Sequence, residues 1–243
     1  MRSSDTVEST GGNMEDAKWE KYAALGGVAF VVLSVVGSFI AGSPPAPDDP
    51  AAEITEWFVD NPGAIQTSQF LNGVGLIALL WWAGSLFRKM SRAEGGRPRL
   101  SVVAIVGFVF AGVFALMSGA VMSATALRID EIGDSAQVFY TLSMVMLATS
   151  AFGLVSALGA VSALSLRTKM LPQWLTYLGW LVALLMVVGS IASATDEAAF
   201  GFFGFAGFLI WAIWILGVSY EMWKQPTSAT IPVAAAAVAV TVD

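Results

Sequence analysis

The chain has 243 residues, of which 56% are hydrophobic and 12% charged, with a formal net charge of −6 and a mean hydropathy of +0.72. Soluble domains carry about 25% charged residues, so this sequence lacks the charge to cover a water-exposed surface and reads as a polytopic membrane protein. It has no cysteine and no histidine. That excludes disulfides, iron–sulfur clusters, thiolate chemistry, His-ligated haem or zinc, and every His-based dyad or triad; no cofactor and no metal centre are expected.

Residues 1–21 hold five acids and three bases and read as a cytoplasmic tail rather than a cleaved signal, because the apolar run that follows is too long for a signal h-region. Six runs of the ~20 apolar residues that span a bilayer follow, at 22–42, 66–87, 101–127, 137–166, 172–194 and 201–223. The fold class is therefore all-α, a single six-helix transmembrane domain over 22–223. A second cytoplasmic tail is expected over 224–243; its run at 231–242 is too short to span. The Lys/Arg distribution sets orientation. With both termini inside, 11 of the 12 bases fall inside and only Arg128 falls outside. Ten of the 18 acids fall outside, a surface property that adds little to orientation. Trp19, Tyr22, Trp174, Tyr177, Tyr220 and Trp223 are placed at the inner interface, Trp57 and Tyr140 at the outer one. Trp81, Trp82, Trp211 and Trp214 lie deeper and are expected between helices.

Between the first two runs, Ser43-Pro44-Pro45-Ala46-Pro47 forms a stiff exit. Asp48 or Asp49 is predicted to cap a short helix near 50–60 with Pro50 in its first turn. Its Glu53, Glu56 and Asp60 share one arc and Ile54, Trp57 and Phe58 another, the pattern of a surface-lying amphipathic helix. The acids are a candidate hard-cation site or outer cation vestibule; the plainer reading is a solvated face. Residues 88–100 are a basic turn that fixes topology under the positive-inside rule, with anionic-lipid or phosphate binding as the functional alternative.

Apart from Glu221 at the inner end of the sixth run, no Asp, Glu, Lys, Arg or His lies inside the six cores. Proton relays, voltage sensors and carboxylate-based symporters place ionisable groups there, so these classes are disfavoured. The remaining polar cluster is neutral: Gln66, Gln69 and Asn72, at spacing three, open the second run. They are a candidate polar pocket for a neutral ligand; the plainer reading is that water or neighbouring backbone satisfies them. Small residues recur along the helices: Gly153, Ser156, Ala157 and Ala160 in the fourth, and Gly201, Gly204 and Gly207 in the sixth. Such faces allow close helix packing within a bundle or, less often, in homo- or hetero-oligomers.

Leu171-Pro172-Gln173-Trp174-Leu175 opens the fifth run after the basic Arg167-Thr168-Lys169. Together with Glu56-Trp57-Phe58, Asp60-Asn61-Pro62-Gly63 and Arg92-Ala93-Glu94-Gly95-Gly96, it resembles a broad bacterial, actinobacterial-like family of multi-pass proteins of unknown function. The resemblance covers about 19–223 and implies a six-helix fold and a membrane location, with no activity and no site residues. Three functions are weighed. The first is a non-enzymatic binding, sensing or partner-helix role in the cytoplasmic membrane of a prokaryote, with membrane lipids and no nucleic acid as partners. The second is a transporter or channel for a neutral or cationic small molecule, with Gln69 and Asn72 on its path. The third is an outer-surface enzyme on lipid-linked substrates, which needs carboxylates such as Glu56 and Asp60 to converge on one atom.

Overall fold

The computed structural model describes side chains for residues 22–95, 97–195 and 200–224, and backbone alone for 5–21, 198 and 199. Expectations for Trp19, Asp196, Glu197 and the tail at 231–242 lie outside the described side chains. Among the described residues eight α-helices follow in order: α1 (Asp5–Ile40), α2 (Ala51–Asp60), α3 (Pro62–Ala93), α4 (Arg99–Leu127), α5 (Ile129–Ile132), α6 (Ala136–Thr168), α7 (Gln173–Gly189) and α8 (Ala198–Lys224). Short 3-10 turns, Gly133–Ser135 and Ser190–Ser193, extend α5 and α7. Six of these segments are long and apolar enough to cross a membrane. A hydrocarbon layer admits such spans because a helix satisfies its own backbone hydrogen bonds.

The six long helices close into a ring. Helix α1 packs on α3, α3 on α4, α4 on α6, α6 on α7, α7 on α8, and α8 back on α1. Glycines set the tightest seams. A Cβ on Gly107 would come 2.5 Å from the Gly153 carbonyl oxygen, and one on Gly153 would come 2.6 Å from the Gly107 carbonyl oxygen. Helices α4 and α6 therefore touch backbone to backbone, the approach that small residues permit in lipid. The α7–α8 seam repeats the device, with a Gly189 Cβ 2.7 Å from the Gly204 Cα.

The ring has two unlike ends. At one end, the basic end, lie the α3–α4 and α6–α7 turns and the C-terminus of α8, with Arg88, Lys89, Arg92, Arg97, Arg99, Arg167, Lys169 and Lys224. The axis of this half is filled by side chains. Trp82, Trp214, Leu86, Met90, Leu158, Leu175 and Ile215 are all buried. Trp82 donates its indole N–H to the Ser219 hydroxyl (2.9 Å) and stands edge-on to both Phe108 and Trp214. Trp214 donates to the Leu175 carbonyl (3.0 Å). The Leu-Pro-Gln-Trp-Leu segment is part of this packing. Leu171 and Leu175 are buried, the Ser165 hydroxyl meets both the Leu171 N–H and the Thr176 hydroxyl, and Gly217 gives Leu175 room on α8.

Several local expectations are corrected. Helix α2 has no side-chain cap, because the Asp49 carboxylate accepts the Ala46 N–H (2.6 Å) inside the proline turn instead. Only Asn61 separates α2 from α3, which starts at Pro62 rather than Gln66; proline suits a first helical turn, where its missing N–H leaves nothing unsatisfied. Tyr140 is buried and donates to the Pro45 carbonyl (2.6 Å). Of the four deep tryptophans, Trp82, Trp211 and Trp214 pack between helices, whereas Trp81 is 64% exposed.

Candidate functional site

The acidic end of the ring is hollow. A cavity of about 1650 Å³ opens there and is lined by all six long helices. Its floor is formed by Phe30, Leu79, Phe108, Leu154, Met186 and Trp211, of which Leu79, Leu154 and Trp211 lie near the middle of their helices. At about 30 Å³ per water, the space would hold on the order of fifty waters. It also exceeds the roughly 300–1,000 Å³ of an ordinary drug-sized pocket.

The walls sort by depth. The floor is apolar, with Phe30 edge-on to Trp211 at 5.2 Å. Above it, neutral polar groups face in: Ser34 and Ser38 from α1, Gln66, Gln69 and Asn72 from α3, Ser118 and Ser123 from α4, and Gln137 and Thr141 from α6. No charged side chain lines the cavity among the described residues. An ion entering would exchange its hydration for dipoles alone, a costly transfer in a low-dielectric site. A neutral molecule with donors and acceptors at one end meets no such penalty.

The three amides of α3 lie within this wall. A spacing of three turns successive side chains by about 60° around the helix, so they fan rather than stack. Gln69 reaches toward α4, its Oε1 2.6 Å from where a Gly119 Cβ would stand. Asn72 turns toward α1, its Oδ1 3.2 Å from the corresponding point on Gly37. A glycine opposite each amide leaves the room it fills. None of the three amide side chains has a hydrogen-bond partner among the described residues. Ser38 differs, its hydroxyl donating to the Ser34 carbonyl (2.8 Å). On the floor, the Trp211 indole N–H is buried and unpartnered, an unusual state for a group that ordinarily finds an acceptor when buried.

The mouth is braced by α2 and the proline segment. Ile54 and Phe58 are buried against Ile65, Met122, Ala136 and Tyr140. Trp57 lines the cavity, donates to the Ala41 carbonyl (3.3 Å) and stands edge-on to Tyr140. Tyr140 and Gln137 hold the Pro45 and Asp49 carbonyls at 2.6 and 3.4 Å, and Thr55 reaches the Gly133 carbonyl at 3.4 Å. Thus α2 turns its apolar face inward. Its Glu53, Glu56 and Asp60 are exposed on the opposite face, and none of them lines the cavity. Among the described residues, no three of the acids gather in a group able to hold a metal ion.

Sequence reasoning singled out the amides but not the hydroxyls of α4 and α6 or the aromatic floor. Their signal, small residues at Ala111, Gly112, Ala115, Ser118 and Gly119, is indistinguishable by itself from a helix-packing face. No family model, curated protein or solved structure matches the chain, so the chemistry of the cavity carries the functional reading.

Proposed function

We propose that the chain is a non-enzymatic binding protein of a prokaryotic cytoplasmic membrane that takes an uncharged small molecule into its central cavity from the outer face. The observation that carries this reading is the cavity wall, with amides at Gln66, Gln69 and Asn72 over an apolar floor, and with neither a partner for those amides nor a charged side chain among the described residues. The segregation of bases to the filled end supports a cytoplasmic placement of that end and of both termini. A second reading, passage of the molecule across the bilayer, draws support from depth: Leu79, Leu154 and Trp211 on the floor lie near the middle of their helices, the level at which carriers hold substrate. It requires the Trp82–Trp214 half to open in another state.

The test is a purification of the full chain in lipid nanodiscs, followed by solvent extraction and mass spectrometry. The expected result is an uncharged species enriched with the native protein and lost from a Gln69→Leu/Asn72→Leu variant of unchanged melting temperature. If the native protein carries no uncharged species beyond that variant, the reading fails. The cysteine-free sequence makes topology directly readable. An impermeant thiol reagent on intact cells is expected to label Ser43→Cys and to spare Gly95→Cys; the reverse pattern overturns the placement.

A further inference from the structure

A second hollow, of about 530 Å³, lies at the basic end, where the α3–α4 turn meets the last turn of α6. It is lined by Arg97 and Arg99 from the turn, by Arg167 and Thr168 from α6, and by Ala93, Glu94, Leu100 and Leu164. None of the three guanidinium groups has an ion-pair or hydrogen-bond partner among the described residues. The arginines come from two segments about 70 residues apart in sequence, so the chain turn alone does not gather them; α4–α6 packing does.

The one carboxylate on the wall is already committed. Glu94 Oε1 accepts the Leu100 N–H (2.8 Å), and Oε2 accepts the Ser101 N–H (3.0 Å) and the Ser101 hydroxyl. It closes the N-terminus of α4 and leaves the guanidinium groups to other acceptors. Three fixed cations against one engaged anion make the hollow electropositive. Guanidinium forks suit phosphate oxygens better than they suit water or point charges.

Position narrows the source of the phosphate. Arg99 begins the α4 span and Arg167 stands one residue from the end of the α6 span, so the hollow sits where hydrocarbon gives way to headgroups. Its wall is mixed, with Leu100 and Leu164 beside the arginines. A phosphodiester with acyl chains attached would match both surfaces, whereas a free phosphate would use only one.

We infer that Arg97, Arg99 and Arg167 form a site for the phosphodiester headgroup of an anionic phospholipid. The site is separate from the central cavity and stands whether or not that cavity binds a ligand. Native mass spectrometry of the detergent-purified full chain, titrated with phosphatidylglycerol or with phosphatidylcholine, tests it. The expected result is one phosphatidylglycerol retained in preference to phosphatidylcholine, with retention falling about fivefold for each arginine changed to glutamine. Lys224→Gln, at the same end but outside the hollow, is expected to leave retention unchanged; an equal loss there would reduce the effect to diffuse charge and overturn the site. Displacement of the lipid by millimolar inorganic phosphate would overturn the lipid as its source. Equal retention of both lipids by the native chain would remove the site altogether. The arginine side chains are exposed, so unchanged melting temperatures are expected to accompany the loss.

Discussion

The two halves of the ring are built from the same six helices and resolve the same problem oppositely. In the basic half, Trp82, Trp214 and Met90 fill the axis with large side chains whose polar atoms are paired or absent. In the acidic half the axis is left empty, and the Gln66, Gln69 and Asn72 amides that face it have no hydrogen-bond partner among the described residues. Lipid tails are as apolar as leucine, so association of helices in a bilayer rests on packing and hydrogen bonds more than on the hydrophobic effect. The filled half can therefore supply most of the cohesion. The hollow half spends some of it to keep a cavity, with α2 and the proline segment bracing the rim.

The sharpest way to break this contrast is to hollow out the filled half. Trp82→Ala removes a side chain with no exposed surface, together with its bond to Ser219 and its edge contacts. A loss of about 3–5 kcal/mol is expected, read as a large drop in melting temperature in detergent. A loss below about 1 kcal/mol would show that the filled half is not the main source of stability. Gly107→Leu attacks the α4–α6 seam, where backbone meets backbone. Overpacking costs about 1–3 kcal/mol when side chains can yield; here a carbonyl blocks the new atom, so the upper part of that range is expected in the same melting assay.

The turn between α3 and α4 offers a smaller effect with a sign fixed by pH. Burial raises the pKa of Glu94, but the hydrogen bonds from the Ser101 hydroxyl and from the Ser101, Leu100 and Arg99 backbone outweigh it, and the carboxyl sits below its ordinary value. A carboxyl whose folded pKa is depressed stabilises the fold above its unfolded pKa, and that contribution fades as pH falls through the folded value. The native chain is thus expected to lose stability on acidification below the ordinary carboxylate range. Glu94→Gln should cost about 1 kcal/mol at pH 7, the usual worth of a helix cap, and flatten that part of the melting-temperature profile. An unchanged acid limb would remove Glu94 from the cause.

What was legible in the sequence follows from the same physics. The six spans stood out because bilayer thickness demands a minimum apolar length, and their existence did not depend on which neighbours they meet. Faces were far less legible. In water an apolar stripe marks the buried side of a helix, but here lipid-facing and core-facing positions are equally apolar. Trp81 and Trp82 are identical neighbours in sequence, yet one is exposed and the other fully enclosed. Asn72 and Gln69 could be singled out because amides are rare inside a span. That Gly37 and Gly119 stand opposite them depends on the register between helices, which no local pattern encodes. The partner of Tyr140 was illegible for a related reason: its hydroxyl donates to the carbonyl of Pro45, 95 residues earlier.

Glycine gives the finest version of the contrast. At Gly107 an added Cβ meets backbone, whereas at Gly201, which lines the cavity, it meets nothing within 4 Å. Gly201 lies within α8 and its φ is ordinary, so alanine there fits the existing backbone. Replacing a helical glycine by alanine reduces the freedom lost on folding and is worth roughly 0.5–1 kcal/mol. Gly201→Ala is therefore expected to raise the melting temperature slightly, the opposite sign from Gly107→Leu, without changing what the cavity retains. A destabilisation at Gly201 would mean that α8 closes against a neighbour at the mouth and that the acidic half is less open than its geometry indicates.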